Sequence, residues 1–334
     1  MNVPPEEYIL VREERQLDFL EKCFAAAGLT EADAVTIGRL LTNSEVRGVR
    51  SHGIGWAPGY CSGLKDGRLN PRPDLRVVHE TPTAVILDGD GGLGYVPMVR
   101  VTELAIAKAR QVGMGMGLVR HIGHYGAAGH YTRMCADAGC IGYSVQGFRN
   151  DGNRKAQDLK PSVAFTGAPP MSFSLPAKEE YNMVLDMVAH AVSGYRGEGY
   201  EDLPGRIPAA FFKSMGLVAV ANLMGGGLTG FTSPEGDAIA ERWPKAVAGG
   251  MVLAIDVESV VPAEAFGAEV DRYIRDVQES FAPMPGYDEV LLPGGVEARV
   301  SELHRQDGIR YGDREQQAAR KLHELLGVPL PWDE

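Results

Sequence analysis

Two histidines stand in sequence suited to proton transfer. His52 lies in the run Arg47-Gly-Val-Arg-Ser-His-Gly53, and His124 in His121-Ile-Gly-His-Tyr-Gly-Ala-Ala-Gly-His130. An imidazole in such a loop can be partly exposed and titrate near neutral pH, and flanking glycines let a small molecule approach closely. The alternative is that each ring caps a turn or bonds a backbone carbonyl. A zinc site built from His121, His124 and His130 is disfavoured. Spacings of three and six do not place all three on one helical face, and no cysteine or acid completes the set nearby. No metal is therefore expected. Asp186, four residues before His190, would form an orienting pair if that stretch were one helical turn. Lys213, at the start of an apolar helix, is either a snorkelling surface lysine or a point charge for a phosphate or carboxylate.

Gly89-Asp-Gly-Gly-Leu-Gly94 fits GxGxxG and sits between a predicted strand and a predicted helix, as a dinucleotide fingerprint should. The next strand, however, ends in Val119, Arg120 and His121, where an acidic residue should hold the ribose. The helix also reads as starting late, near Pro97, which would leave its amides badly placed for a pyrophosphate. A tight Asp-Gly turn is the better reading.

The elements that must carry these residues alternate between helix and strand. Leu17, Leu20, Phe24 and Ala27 keep a helical period that closes at Gly28, and Thr30 opens a second helix through Ile37, Leu40 and Leu41. From Arg47 to Pro73 the chain reads as an irregular, ligand-presenting segment. Strands follow in LRVVHE and TAVILDGD, then a helix to Val112, a strand from Met116, a helix to Ala138 and a buried strand at CIGYSVQ. Residues 148–162 and 193–208 read as loops, with strand material between them leading into a helical stretch near His190. An apolar helix from Phe211, a strand at GGMVLAID, an amphipathic helix over 262–281 and a last helix from Asp313 to Gly327 complete the chain. The expected division is 1–73 for the helical and substrate-loop segment, 74–256 for the central α/β domain and 257–334 for a C-terminal helical segment.

Over 334 residues, 33 basic against 44 acidic side chains give a net charge of -11, which argues against nucleic-acid and anionic-membrane surfaces. The acidic N-terminal sequence reads as neither secretory nor transit peptide, and no apolar run approaches the ~20 residues of a membrane span; the nearest, Gly216 to Gly227, is glycine-broken. Cys23, Cys61, Cys135 and Cys140 are scattered and read as buried reduced thiols. A cytoplasmic α/β enzyme is the expectation.

In RGVRSHG, DGDGGLGY and HIGHYGAAGHY the chain resembles the malate/L-lactate dehydrogenase family of the sulfolactate-dehydrogenase-like fold. The likeness continues through GRLNPRP (67–73), VLDM (184–187), KSMGL (from Lys213), LAID (253–256) and PGYDEVLLPG (285–294). It implies an α/β, non-Rossmann mixed-sheet core with flanking helical segments. It also implies a homodimer and a hydride transfer between NAD or NADP and a small 2-oxo, 2-hydroxy or 2-imino acid. On this resemblance His124 is the proton donor or acceptor and His52 its catalytic companion. Ser51 and Tyr60, with Trp56 and Arg47, line the substrate, while Asp186, Met187, Val188 and Lys213 face the cofactor.

The chain departs from the family's pattern in places. Where family members usually carry an arginine four residues after the SHG histidine, this sequence has Trp56, which cannot grip a carboxylate bidentately. Arg47 or Arg50 are the substitutes to consider. GTNP becomes Gly167-Ala-Pro-Pro170, GGHKG becomes Ala210-Phe-Phe-Lys-Ser214, and GHF becomes Gly249-Gly-Met251. These changes sit on cofactor-type segments, so a second reading is a cofactor-independent hydrolase, lyase or isomerase that reuses His52 and His124.

Overall fold

The computed structural model describes residues 4–149, 169–190, 202–283 and 288–333. Most of loop 148–162, residues 193–201 of the second loop, and any helix beyond His190 lie outside the described residues, as do Gly167 and Ala168.

The N-terminal part runs β1 (Ile9–Val11), α1 (Glu13–Ala26) and α2 (Glu31–Val46). Thr30 caps α2 as its sequence predicts, accepting the Asp33 N–H at 3.1 Å. The stretch from Arg47, expected to be irregular, is instead mostly helical: single turns at Arg50–His52 and Ile54–Trp56, then α3 (Ala57–Lys65). Tertiary packing outweighs its glycine content, since Ala57, Tyr60, Cys61 and Leu64 are buried on one face and Pro58 sits in the first turn.

The central part is β2 (Arg76–Glu80), β3 (Ala84–Asp88), α4 (Tyr95–Val112), β4 (Met114–Ile122), α5 (Gly129–Asp137), β5 (Cys140–Phe148), β6 (Pro170–Leu175) and β7 (Met183–Val188). Then come α6 (Leu203–Arg206), α7 (Pro208–Gly225), α8 (Pro234–Arg242) and β8 (Ala248–Asp256). The chain closes with α9 (Ala263–Ser280), α10 (Gly295–Asp307), β9 (Ile309–Tyr311) and α11 (Asp313–Leu326). β1 pairs with β9, tying the N-terminal helices to the C-terminal ones.

Seven strands form one sheet in the order β2-β3-β4-β8-β5-β6-β7. Only β3 and β4 run parallel; the other pairs are antiparallel. Neighbouring residues point to opposite faces and feed two cores. Val119 and Val252 join the α4 and α5 side, while Leu118 and Met251 join Val218 and Ala221 of α7 on the other.

Two further expectations change. Asp186 lies in β7, so it and His190 do not share a helical turn. The helix from Pro208 runs on through a tight turn to Thr229, 22 residues that meet the length and composition of a membrane span, with a third of its most apolar 18-residue stretch buried. Its buried face, Phe211, Ser214, Val218, Ala221 and Gly225, packs against the sheet. All four cysteines are free and buried.

One buried ion network sets where the His52 turn sits. Arg50 grips Glu315 of α11 with two donors, at 3.0 and 2.7 Å. Glu45, at the end of α2, accepts the Ile54 N–H at 2.9 Å. A Cβ on Gly53 would fall 1.9 Å from Glu45 Oε1, so the SHG glycine is required by this contact. Burial, then repulsion from Glu315, pushes the Glu45 carboxyl up to about 8, so at neutral pH it holds a proton. A carboxyl raised in the folded state stabilises below its unfolded value of 4.5 and loses that contribution as pH rises through about 8. Replacing Glu45 with Gln should therefore leave stability near wild type at pH 5 and raise it at pH 8 by on the order of 1–3 kcal/mol relative to wild type. Denaturant unfolding at the two pH values checks this, and a difference that shrinks with pH contradicts it.

Candidate active site

The glycine run between β3 and α4 explains how His124 is placed. After β3 the chain turns through Asp90 (φ 44°) and Gly91 (φ 79°), and α4 begins at Tyr95, directly after Gly94 rather than near Pro97. The turn's amides are already engaged. Gly89 N–H donates to Arg120 O, Gly91 to His121 O and Gly92 to Gly89 O, each at 2.9 Å, and Gly94 to His124 O at 3.1 Å. Gly123 N–H returns a bond to Gly92 O at 2.8 Å. The donors a pyrophosphate would need are spent on the histidine loop. Arg120 pairs with Asp88 at 3.0 Å. The two loops also press together: a Cβ on Gly94 would meet Tyr125 Cβ at 2.7 Å, and one on Gly126 the Tyr95 ring at 2.5 Å. The glycines of this motif serve close backbone approach.

His124 meets α3 across that junction. Its Nδ1 lies 2.6 Å from the Tyr60 hydroxyl, which lies 3.4 Å from the Tyr95 hydroxyl. Rings gather around it: Trp56 stacks at 4.9 Å between centroids, His52 at 5.8 Å and Tyr60 at 6.1 Å. Ser51 Oγ lies 3.0 Å from His52 Nδ1, and Trp56 Nε1–H donates to Ser51 O at 2.6 Å. Ser51, His52, Trp56, Tyr60 and His124 thus lie together in one constellation. His124 Nε2 bonds no described residue, nor is it among the buried unpartnered ring nitrogens, so it faces accessible space.

Burial, then the neighbouring His52, pushes the His124 imidazole down to about 3; burial, then the charge of Arg314, pushes His52 down to about 4. Burial raises the Tyr60 hydroxyl well above its usual range, so it stays protonated. Neutral imidazole beside an un-ionised phenol is the resting state at pH 7.

The remaining candidates stand apart. Arg47 is half-buried, and burial, then repulsion from Arg133, lowers its guanidinium to about 10. Arg50 is committed to Glu315 and cannot take over a missing clamp. Asp186 accepts the Gly129 N–H at 3.0 Å, and burial raises its carboxyl to about 6 against the pull of Arg133. Met187 and Val188 follow it on β7, half-buried. Lys213 is on the exposed side of α7, and no hydrogen bond or ion pair links it to Asp186–Val188. His121 pairs with Asp88 at 2.9 Å and His130 approaches Ser44 Oγ at 3.3 Å, so the three histidines once weighed as zinc ligands serve different partners. No group of three His, Cys, Asp or Glu side chains suited to a metal occurs among the described residues.

Sequence reasoning missed Tyr95, although it directly follows the glycine run, because that run was weighed only as a nucleotide fingerprint or a tight turn and the helix was expected to start later, near Pro97. It also missed Glu45 and the Arg50–Glu315 clamp, which join segments 265 residues apart and leave no local pattern.

The family model for malate/L-lactate dehydrogenase matches residues 11–196 and 201–318. L-sulfolactate dehydrogenase from Methanocaldococcus jannaschii is 28% identical, with 91% of this chain and 93% of that one covered. Malate dehydrogenase from Pyrococcus horikoshii is 29% identical over 97% of both. The solved structure of malate dehydrogenase from Pyrococcus horikoshii OT3 superposes with a TM-score of 0.82 at 25% identity, covering 99% of each chain.

Nitrogen-15 shifts of the imidazoles should show His52 and His124 uncharged at pH 5.5, far below the midpoint of an exposed ring. Because both are depressed, the folded state refuses protons that the unfolded chain takes up, so stability should fall as pH drops from 6.5 towards about 4. Ring midpoints near 6.5 would contradict the assigned environment.

Proposed function

Because the chain belongs to the malate/L-lactate dehydrogenase family, we propose that it moves a hydride between NAD(P) and a small 2-hydroxy or 2-oxo acid, with His124 handling the proton. The observation that carries this reading is the uncharged His124 ring, held at Nδ1 by Tyr60 and open at Nε2. When bound, the nicotinamide supplies or accepts the hydride at the substrate carbon.

In the oxidative direction, Nε2 takes the hydroxyl proton as the carbon gives up its hydride and the C=O bond forms. Nδ1 then carries a hydrogen and donates to Tyr60 oxygen. In reduction, the hydride adds to the carbonyl carbon, the C=O π pair moves to oxygen, and that oxygen takes the proton from Nε2. Reduction starts from the imidazolium that oxidation leaves, so Nδ1 keeps its hydrogen and donates to the Tyr60 oxygen in both directions. Trp56 stacked on the ring favours the transient imidazolium through its π face and shields it from water. His52 also stacks on the ring, 5.8 Å between centroids, and its Nδ1 lies 3.0 Å from Ser51 Oγ.

The residues of β7 suit a nicotinamide. Met187 and Val188 offer half-buried apolar surface beside the Asp186 carboxyl. Two residues on, His190 is buried, its ring edge-on to Phe211 of α7. Asp186, Met187 and Val188 would hold the cofactor, with Lys213 available to its phosphates. Residues 74–256 are the cofactor side and residues 1–73 the substrate side of this arrangement. A cytoplasmic homodimer belongs to the same reading; the exposed Phe212, Met215, Val220 and Leu223 of α7 are apolar surface that assembly would cover.

Titration of the pure protein with NADH and with NADPH, followed by nucleotide fluorescence and thermal unfolding, tests the reading. At a hundredfold excess over its dissociation constant the bound nucleotide should stabilise the protein by about 2.7 kcal/mol. No fluorescence change and no stabilisation with either nucleotide would favour the cofactor-independent chemistry instead.

A further inference from the structure

The constellation around His124 needs a cation. A 2-oxo or 2-hydroxy acid brings a carboxylate into a half-buried, ring-lined site, and a carboxylate there is costly without a charge-assisted partner. Trp56 carries no charge, and its indole N–H is already donated to Ser51 O. Arg50 is held by both oxygens of Glu315. Arg47 stands beside Arg133 and Arg305 and, among charged groups, bears on His130 rather than on His52 or His124.

Arg314 differs from all of these. It lies in the first turn of α11, next to Glu315, so the Arg50–Glu315 clamp fixes the backbone that carries it against the His52 turn. Its guanidinium lies across Gly55, between His52 and Trp56 in sequence. A Cβ on Gly55 would come 2.8 Å from Arg314 Nε and 3.1 Å from Nη2. Glycine at 55 is thus what lets the side chain occupy that place. Arg314 is exposed and has no hydrogen bond or ion pair among the described residues. Among the described residues, it is also the cation whose charge acts on His52.

We propose that Arg314 is the substrate's carboxylate anchor, a specificity residue supplied by the C-terminal helix to the His52–His124 site. Its planar fork pairs with both carboxylate oxygens, while the adjoining oxo or hydroxyl group is left to His124. The inference rests on the dehydrogenase reading for its substrate class. The anchor itself requires only that the site bind a small carboxylate.

Two measurements separate the anchor from the dehydrogenase reading. The first is steady-state reduction of pyruvate, oxaloacetate and methyl pyruvate with NADH and NADPH, by wild type, Arg314→Gln, Arg314→Lys and the control Lys321→Gln on the same helix. The second is calorimetric titration of each protein with oxalate. Arg314→Gln should raise KM for the oxo acids about 10- to 100-fold, with kcat less affected, and leave methyl pyruvate, whose carboxylate is masked, unchanged. Arg314→Lys should recover part of the loss, and Lys321→Gln should behave as wild type. Oxalate should bind wild type and lose at least tenfold in affinity in Arg314→Gln. Thermal unfolding of Arg314→Gln should match wild type, because the side chain is exposed. If wild type reduces no oxo acid with either nucleotide yet binds oxalate through Arg314, the dehydrogenase reading fails and the anchor stands. If oxalate affinity and oxo-acid KM are unmoved by Arg314→Gln, or wild type binds no oxalate, the anchor is overturned.

Discussion

His124 is held at two points: its carbonyl accepts the Gly94 N–H at 3.1 Å, and its ring Nδ1 meets the Tyr60 hydroxyl at 2.6 Å. The first bond joins it to the turn between β3 and α4, the second to α3. The ring's position therefore depends on how the N-terminal helices dock on the sheet. The rest of the site follows from that docking: His52 and Trp56 stack on the ring because the short turns before α3 run past it. Glu45 and Arg50 fix those turns against α2 and α11.

The same geometry shows how one glycine pattern can serve two purposes. In a dinucleotide-binding turn the free amides at a helix N-terminus face phosphate. Here the amides of Gly89, Gly91 and Gly94 donate to carbonyls of residues 120, 121 and 124. Glycine is needed here because two backbones pass close together, with Gly94 against Tyr125 and Gly126 against Tyr95. Within a sheet whose only parallel pair is β3–β4, such a turn orients a histidine rather than a pyrophosphate.

Much of this was legible in the sequence. Apolar runs marked β3, β5 and β8, and Gly28, Thr30 and Gly327 marked helix ends, because capping and apolar patterning are local signals. His52 and His124 stood out by their glycine-spaced loops, and the structure stacks them 5.8 Å apart. What stayed hidden was decided by distant partners. The segment 50–65 became helical because α3 buries one face against the core, which its glycines and polar residues did not advertise. Asp186 lies where strand material was expected, but the pairing that makes it part of an edge strand, opposite Ser172, is set by β6 and left no local mark. Arg314 read only as part of a helix start, and its place beside Gly55 spans more than 250 residues of chain.

The central claim is that the His124 imidazole transfers the substrate's proton. It is tested most directly by single-turnover hydride transfer in a His124→Ala protein whose nucleotide binding has been measured alongside. The account predicts nucleotide affinity and unfolding temperature close to wild type, with the hydride-transfer rate lowered by about 10²- to 10⁴-fold. A rate within a few-fold of wild type, with nucleotide bound, would contradict it.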